Sequence, residues 1–255
     1  MRPFFHFTLS KVECAYMNIH IIENPDTAQL LAKASAGALQ GISTAWSNGR
    51  DAQVVVTGGR TGLAIVQSLD NAVAPLLAAN PDRKIHIWFS DERFVELESA
   101  DRSDTTLIAG FATIADRCIF HRIKTPSTAT LQEAADDYSA QLFSSLGSAE
   151  FDVVILSMGE DGHVASCFPG HRATLAAESP AASVENSPKP PAQRVTISLN
   201  QLAATPNAFI FALGQAKSEA LHQTLRRSTE MPIELLRQNS SVGQISIMTD
   251  FQVAQ

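Results

Sequence analysis

Cysteine is scarce in this 255-residue chain. Cys14, Cys118 and Cys167 are far apart, odd in number and form no CxxC pair. They supply no disulfide framework and point to a reducing compartment, so a cytoplasmic location is expected. Long apolar runs are missing too. Nothing approaches the ~20 residues a membrane-spanning helix requires, so no membrane role is expected. Basic charge is also in short supply. Nineteen Lys and Arg face 26 Asp and Glu, for a formal charge of −7. Nucleic-acid binding wants a basic face, which this balance argues against. A small anionic substrate needs only two or three local cations and is not excluded.

What is present is an ordinary globular composition, 45% hydrophobic, with ample length for a core. Residues 1–16 combine an early Arg and several Phe with polar breaks that come too soon for a signal sequence. They are expected to be an irregular extension, followed by a single domain over 17–255. From Met17 the chain alternates. Strand-like runs occur at Met17–Ile22, Ala52–Thr57, Lys84–Ser90, Phe151–Met158, Gln193–Leu199, Asn207–Leu213 and Gln244–Asp250. Helical spacing fills Asp26–Trp46, with Pro25–Asp26 as a start signal. It also fills the stretch after Gly59, with a break expected before Pro75, the residues up to Leu146, and Gln215–Arg226. Apolar strands without polar alternation belong in sheets covered on both faces. Alternation with helices predicts βαβ units. The expected fold is a Rossmann-like, open, mostly parallel sheet with helices on both faces, a three-layer α/β/α architecture. The Pro- and Ser-rich stretch Glu178–Gln193 reads as a surface loop.

Ligands in such sheets bind beyond the carboxyl ends of the strands, and three strands end there in polar motifs. "VVVTGGRTG" (Val54–Gly62) runs a strand through Gly58 and Gly59 into a helix. That outlines a phosphate cradle, since glycines admit a close ligand and a helix start offers free N–H groups. Its spacing is neither GxxxxGK[ST] nor GxGxxG, and a plain turn is the bland alternative. "IWFSDERFVE" (Ile87–Glu96) puts Asp91, Glu92 and Arg93 at a strand end, where a solvated ion pair is the bland alternative. "DVVILSMGEDGHVASCFPG" (Asp152–Gly170) packs Glu160 and Asp161 between Gly159 and Gly162, followed directly by His163, with a short helix expected after it. A neutral imidazole is a natural base for activating water, and a nearby carboxylate can fix its tautomer. Asp161 or another acid would serve. The alternatives for His163 are a loop histidine or a zinc ligand with Cys167 and His171. Pro169 breaks the helix a zinc site would need, and no second pair completes the set. Cys167 reads as a small core residue rather than a nucleophile. Arg194 and Lys217 are later cations of the kind a phosphate monoester site uses.

The stretches "TGGRTG", "IWFSDERFV", "ILSMGEDGHVASCFPG" and "RVTISL…FALGQAK" resemble the 6-phosphogluconolactonases of the oxidative pentose phosphate pathway. The resemblance runs from about Met17 to the end, including "MPIELLRQNS". The GEDGH-x-A-S-x-F-P-G run is its specific part. It implies an esterase acting on 6-phospho-D-glucono-1,5-lactone, with no metal or redox cofactor, as a monomer or weak homodimer. His163 would deprotonate water, and Arg93, held by Asp91 or Asp161, would stabilise the oxyanion. Gly58, Gly59, Arg60 and Thr61 would cradle the phosphate, clamped by Arg194 and Lys217.

Two alternatives stand beside this. The related glucosamine-6-phosphate deaminases/isomerases usually carry Phe-Asn-Glu-Pro where this chain has Ser166-Cys167-Phe168-Pro169, and Tyr where it has Arg93. The missing Glu would serve ring opening. A non-catalytic sugar-phosphate-binding protein needs only the phosphate clamp, not His163, Asp161 and Arg93. The chain also departs from the lactonase pattern Ser-Gly-Gly-Ser-Thr-Pro at Thr57–Gly62, and at Glu96 and Asp104, whose charges would disturb a phosphosugar site if they faced it.

Overall fold

The computed structural model describes residues 18–147, 150–171, 178–228, 230–239 and 241–253. The expected extension over 1–16 lies outside them. Seven strands form one all-parallel sheet: β1 (Ile19–Glu23), β2 (Ala52–Val56), β3 (Ile85–Phe89), β5 (Cys118–His121), β6 (Val153–Ser157), β9 (Thr205–Ala212) and β10 (Val242–Thr249). Their order is β1-β10-β9-β6-β2-β3-β5. The strands β4 (Asp91–Arg93), β7 (Ala181–Val184) and β8 (Arg194–Ile197) make a second, antiparallel sheet in the order β4-β8-β7.

Alternation along the central strands sorts side chains to two cores. Val54 and Val56 face one with Ile85, Ile87 and Phe89, together with α1 (Thr27–Ser47), α2 (Gly59–Ala78) and α3 (Asp104–Gly110). Val55, Trp88, Val154 and Leu156 face the other. It is closed by α4 (Leu131–Leu146), the short α5 (Leu199–Ala203), α6 (Ser218–Leu225), α7 (Pro232–Gln238) and the small sheet. These are the three layers expected from sequence. Trp88 is fully buried and satisfies its indole N–H on Gln53 Oε1 at 2.7 Å. Burying such a side chain contributes about 1.5–3 kcal/mol or more.

Caps fix the helix starts. Asp26 accepts from Ala28 N at 2.9 Å at the start of α1, as Pro25–Asp26 suggested. Thr130 and Glu133 form a reciprocal capping box on α4. Three expectations change. Helix α2 continues through Pro75 to Ala78, with Pro75 in its last turn. The stretch Glu178–Gln193 is not all loop, because it contains β7, which pairs with β8. The run Gln193–Leu199 supplies β8 of the small sheet rather than a strand of the main one. Among the described residues no helix is long and apolar enough to cross a membrane.

Candidate active site

The ends of β2, β3 and β6 and the segment after β9 surround a cleft of about 620 Å³. Thr57, Gly58, Gly59 and Arg60 line it from the first motif, and Asp91, Glu92 and Arg93 from the second. Ser157–Glu160 and His163 line it from the third, and Lys189, Arg194 and Lys217 line it as well. The carboxyl edge of the sheet therefore gathers all three polar motifs, for the topological reason that parallel strands all end on one side.

The loop Gly159–His163 is a tight hairpin. Met158 bridges to Val164, Gly159 N donates to His163 O at 2.8 Å, and Gly162 N donates to Gly159 O at 3.0 Å. Both glycines are required. A Cβ on Gly159 would stand 2.1 Å from His163 Cε1 and 2.6 Å from Asp161 Oδ1. Gly162 has φ +86°, and a Cβ there would stand 2.1 Å from Met231 Cε. Within this turn His163 Nδ1 lies 2.5 Å from Asp161 Oδ1. An ionised carboxylate accepts, so Nδ1 carries the proton and Nε2 keeps its lone pair. Burial pushes the imidazole below the ordinary histidine range, partly offset by Asp161. Burial also penalises the Asp161 charge, but His163 and Lys189 outweigh it and hold the carboxyl below its usual value.

Among the described residues after His163, up to His171, no helix forms. Gly162 and Ala165 both have positive φ, +86° and +52°, and a bridge joins Val164 to Cys167. The helical face on which Cys167 and His171 would join His163 is therefore not formed. Cys167 is fully buried, and burial raises its thiol to about 12, so it is no nucleophile. Ser166 Oγ donates to Asp91 Oδ2 at 2.6 Å. Phe168, at the place of the deaminase Glu, packs its ring 4.7 Å from that of His163 and 5.8 Å from the Arg194 guanidinium carbon.

Strand β4 pairs antiparallel with β8, so Arg93 and Arg194 are Cα partners, as are Asp91 and Thr196. Asp91 accepts from Ser90 Oγ at 2.8 Å as well as from Ser166. The expected tether of Arg93 to Asp91 or Asp161 is not what the structure shows. Arg93 Nη1 donates to Asp101 O at 2.8 Å and stands 3.4 Å from Asp101 Oδ1. Asp91 is committed to hydroxyls, and Asp161 to His163 and Lys189.

Glu92 braces the wall of the cleft from within the lining. It accepts from the backbone N of Arg93, Ser103 and Asp104 at 2.8, 3.1 and 2.7 Å. Burial raises its carboxyl against those bonds. Asp104 does not face the cleft as a free charge. Arg102 Nη2 lies 2.7 Å and Arg122 Nη2 2.8 Å from its two oxygens. Burial opposes ionisation, but the two guanidinium groups hold Asp104 below the usual carboxylate range. Glu96 is exposed and outside the cleft lining.

On the phosphate side, Gly58 caps α2 without a side chain, which leaves the first-turn N–H groups without a side-chain cap. Arg60 is exposed at the rim. Thr61 does not line the cleft, because the helix carries it round to another side, while Leu63 returns to the lining. Arg194 is buried and spends Nε and Nη2 on the carbonyls of Pro191, Lys189 and Pro190. Lys217 is half-buried. Burial lowers its pKa, opposed by Glu160 and Asp250. Lys189 was not singled out from sequence, because a lysine flanked by Pro188 and Pro190 carries no periodic or motif signal. Arg102 and Ser103 were missed likewise. Among the described residues no group of three His, Cys, Asp or Glu stands together as a metal cage.

Residues 25–246 match the model of the family described as glucosamine-6-phosphate isomerases/6-phosphogluconolactonase. The chain is 30% identical over 235 residues to a 6-phosphogluconolactonase of Homo sapiens, covering 89% of this chain and 87% of that protein. It is 29% identical over 215 residues to one of Streptomyces coelicolor, covering 80% and 82%. Among solved structures, the fold is shared with a 6-phosphogluconolactonase from Trypanosoma cruzi. The TM-score is 0.74 at 21% identity, with 91% of this chain and 94% of that one covered. It is shared equally with one from Shewanella baltica, with TM-score 0.73, 22% identity and 91% and 97% covered. This chain belongs to the glucosamine-6-phosphate isomerase/6-phosphogluconolactonase family.

Proposed function

We propose that the protein hydrolyses 6-phospho-D-glucono-1,5-lactone to 6-phospho-D-gluconate with water activated by His163. The observation that carries this reading is His163, paired with Asp161 at 2.5 Å, lining one cleft with an uncapped glycine turn and the cations Arg194 and Lys217. Nε2 of His163 takes a proton from water as the water oxygen bonds to C1. The carbonyl π electrons move onto oxygen, giving a tetrahedral oxyanion. Arg93 stabilises that charge, the kind of preorganised electrostatic contribution that dominates acyl transfer. As the oxyanion collapses, the C1–ring oxygen bond breaks and His163 returns its proton to the departing oxygen. The 6-phosphate lies on the amides after Gly58, with Arg60, Arg194 and Lys217 as its cations. An ester already has a competent leaving group, so the step needs no redox cofactor.

The deaminase reading is disfavoured by chemistry at one position. Phe168 stands where the ring-opening carboxylate would be, and it packs against His163. A pure sugar-phosphate binder would have no use for a tautomer-fixed imidazole.

The test couples fresh lactone, generated by glucose-6-phosphate dehydrogenase, to 6-phosphogluconate dehydrogenase, since the lactone also opens spontaneously. Acceleration over the uncatalysed rate is expected. A rate equal to the uncatalysed one would overturn the proposal, and ammonia release from glucosamine-6-phosphate would favour the deaminase.

A further inference from the structure

Two donors converge on one oxygen of Asp161. His163 Nδ1 lies 2.5 Å from Oδ1, and Lys189 Nζ lies 3.1 Å from the same atom. The second donor comes from a distant loop whose backbone is held from several directions. Ser187 N donates to Ala192 O at 2.9 Å. Ser187 Oγ donates to Lys189 O at 2.9 Å, and Lys189 N donates to Ser187 Oγ at 3.2 Å. The Arg194 guanidinium, on a residue only 7% exposed, then donates to the carbonyls of Lys189, Pro190 and Pro191 at 3.0, 3.2 and 3.2 Å. A lysine on a solvated linker would sweep a wide volume. This one starts from a backbone clamped at three consecutive carbonyls, so its ammonium searches only the reach of its own side chain.

We propose that Lys189 is a positioning residue of the active site: its ammonium, delivered by the loop that Arg194 clamps, fixes the Asp161 carboxylate against His163 and sets how readily His163 takes a proton. The inference rests on the reading of His163 as the base. It works through two opposed effects. Holding Asp161 in place keeps the proton on Nδ1 and the lone pair on Nε2. Sharing Oδ1 draws negative charge away from the imidazole and makes it less basic. The charged groups about His163 are Asp161 and Glu160 on its own loop, Asp91 and Arg93 on β4, Arg194 on β8 behind Phe168, Lys217 after β9, and Lys189. Asp161 and Asp91 favour the imidazolium and Lys189 opposes it.

Lys189 and Asp161 are both partly exposed, with side chains 42% and 38% accessible, so solvent moderates the effect. The experiment compares wild type, Lys189→Met and Lys189→Arg by NMR titration of the His163 ring and by the pH dependence of kcat/KM on the lactone. In Lys189→Met the ring is expected to titrate at a higher pH than in wild type, with the acid limb of kcat/KM moving alongside it. Its kcat should fall on the order of 3- to 30-fold, less than the loss of the base itself. Lys189→Arg should restore both readouts toward wild type, which a fold defect would not allow. Unchanged ring titration in Lys189→Met would overturn the proposal, as would a change confined to KM, since that would make Lys189 a substrate contact only. A wild-type enzyme that fails to accelerate lactone opening would sink the lactonase reading instead. The ring titration would still decide whether Lys189 governs His163.

Discussion

Ser166 Oγ donates to Asp91 Oδ2 at 2.6 Å, and so ties the loop after β6 to the first residue of β4 across 75 positions of sequence. Ser166 is fully buried, and its backbone N reaches Thr196 Oγ1 at 3.2 Å. Ser166→Ala should remove one of the two hydroxyls that hold Asp91 and leave a partly buried carboxylate oxygen short of a donor. A hydrogen bond to a charged group contributes about 1.5–3 kcal/mol, so urea unfolding should show a loss of that order. Wild-type stability in the variant would mean that water replaces the hydroxyl without cost.

The pH dependence follows from the state of His163. The base is the neutral ring, and burial lowers its pKa below the ordinary value against the pull of Asp161. Activity should therefore hold on the acid side of pH 6.5 before it falls. Asp161→Asn removes the attraction that favours imidazolium, so its acid limb should move lower still while kcat drops. His163→Ala should lower kcat by roughly 10²–10⁴ with the fold intact. Full activity in His163→Ala would remove His163 as the base.

Gly159 and Gly162 should fail in different ways when changed to Ala. At 159 the new Cβ meets the His163 ring at 2.1 Å, so the ring must move while the backbone is not asked for a strained φ. The expected result is a large fall in kcat with near-normal stability. At 162 the backbone has φ +86° and the Cβ meets Met231. There the thermal midpoint should fall as well, since Ala at positive φ is strained. Equal effects at the two positions would contradict this division.

The extent to which the sequence revealed this fold depends on run length. Apolar runs such as Val153–Ser157 and Phe209–Ala212 carry their own signal, because a strand covered on both faces must be apolar throughout. The glycine-rich turns were equally legible, since few residues other than glycine tolerate such geometry. Strands β4, β5 and β7 were not. Asp91–Arg93, Cys118–His121 and Ala181–Val184 are three or four residues long, and for them partner strands supply the order that local pattern does not. The site divides the same way. His163, Asp161, Arg93 and the Gly58–Gly59 turn sit in motifs, whereas Lys189 reaches Asp161 from 28 residues away, on a loop whose clamp leaves no pattern in the sequence. The Asp101 tether of Arg93 was hidden because one of its two contacts is to a backbone oxygen, which no side-chain pattern announces.

A pair of stacked histidines should give the fold its own response to acid. His86 Nδ1 and His121 Nε2 are 2.8 Å apart, and His121 stacks on Trp88 with ring centroids 3.5 Å apart. Burial lowers both, and His121 is pushed down to about 4. The folded state thus binds fewer protons than the unfolded chain between about pH 6.5 and 4, so stability should decline as pH falls through that window. His121→Phe keeps the stacking on Trp88 and removes the titration. The drop in urea midpoint between pH 7 and 5 should be smaller in this variant than in wild type. An identical drop would place the acid sensitivity elsewhere.

The cations of the cleft should separate by substrate. Lys217 is half-buried and faces Glu160 and Asp250, and Arg60 sits exposed at the second position of α2, where the lactonase pattern has Ser. Lys217→Ala should raise KM for the phosphorylated lactone with a smaller change in kcat, as expected for binding shared by ground and transition states. Arg60→Ser should do the same more weakly, since an exposed cation is screened by solvent and salt. Arg194→Ala is a less clean test, because Arg194 also holds the carbonyls of Lys189, Pro190 and Pro191 and its loss should lower kcat too. The control is unphosphorylated gluconolactone. If Lys217 and Arg60 contact the phosphate, their variants should treat that substrate almost as wild type does. Equal losses on both substrates would deny them a phosphate role and move the anion site to other parts of the cleft.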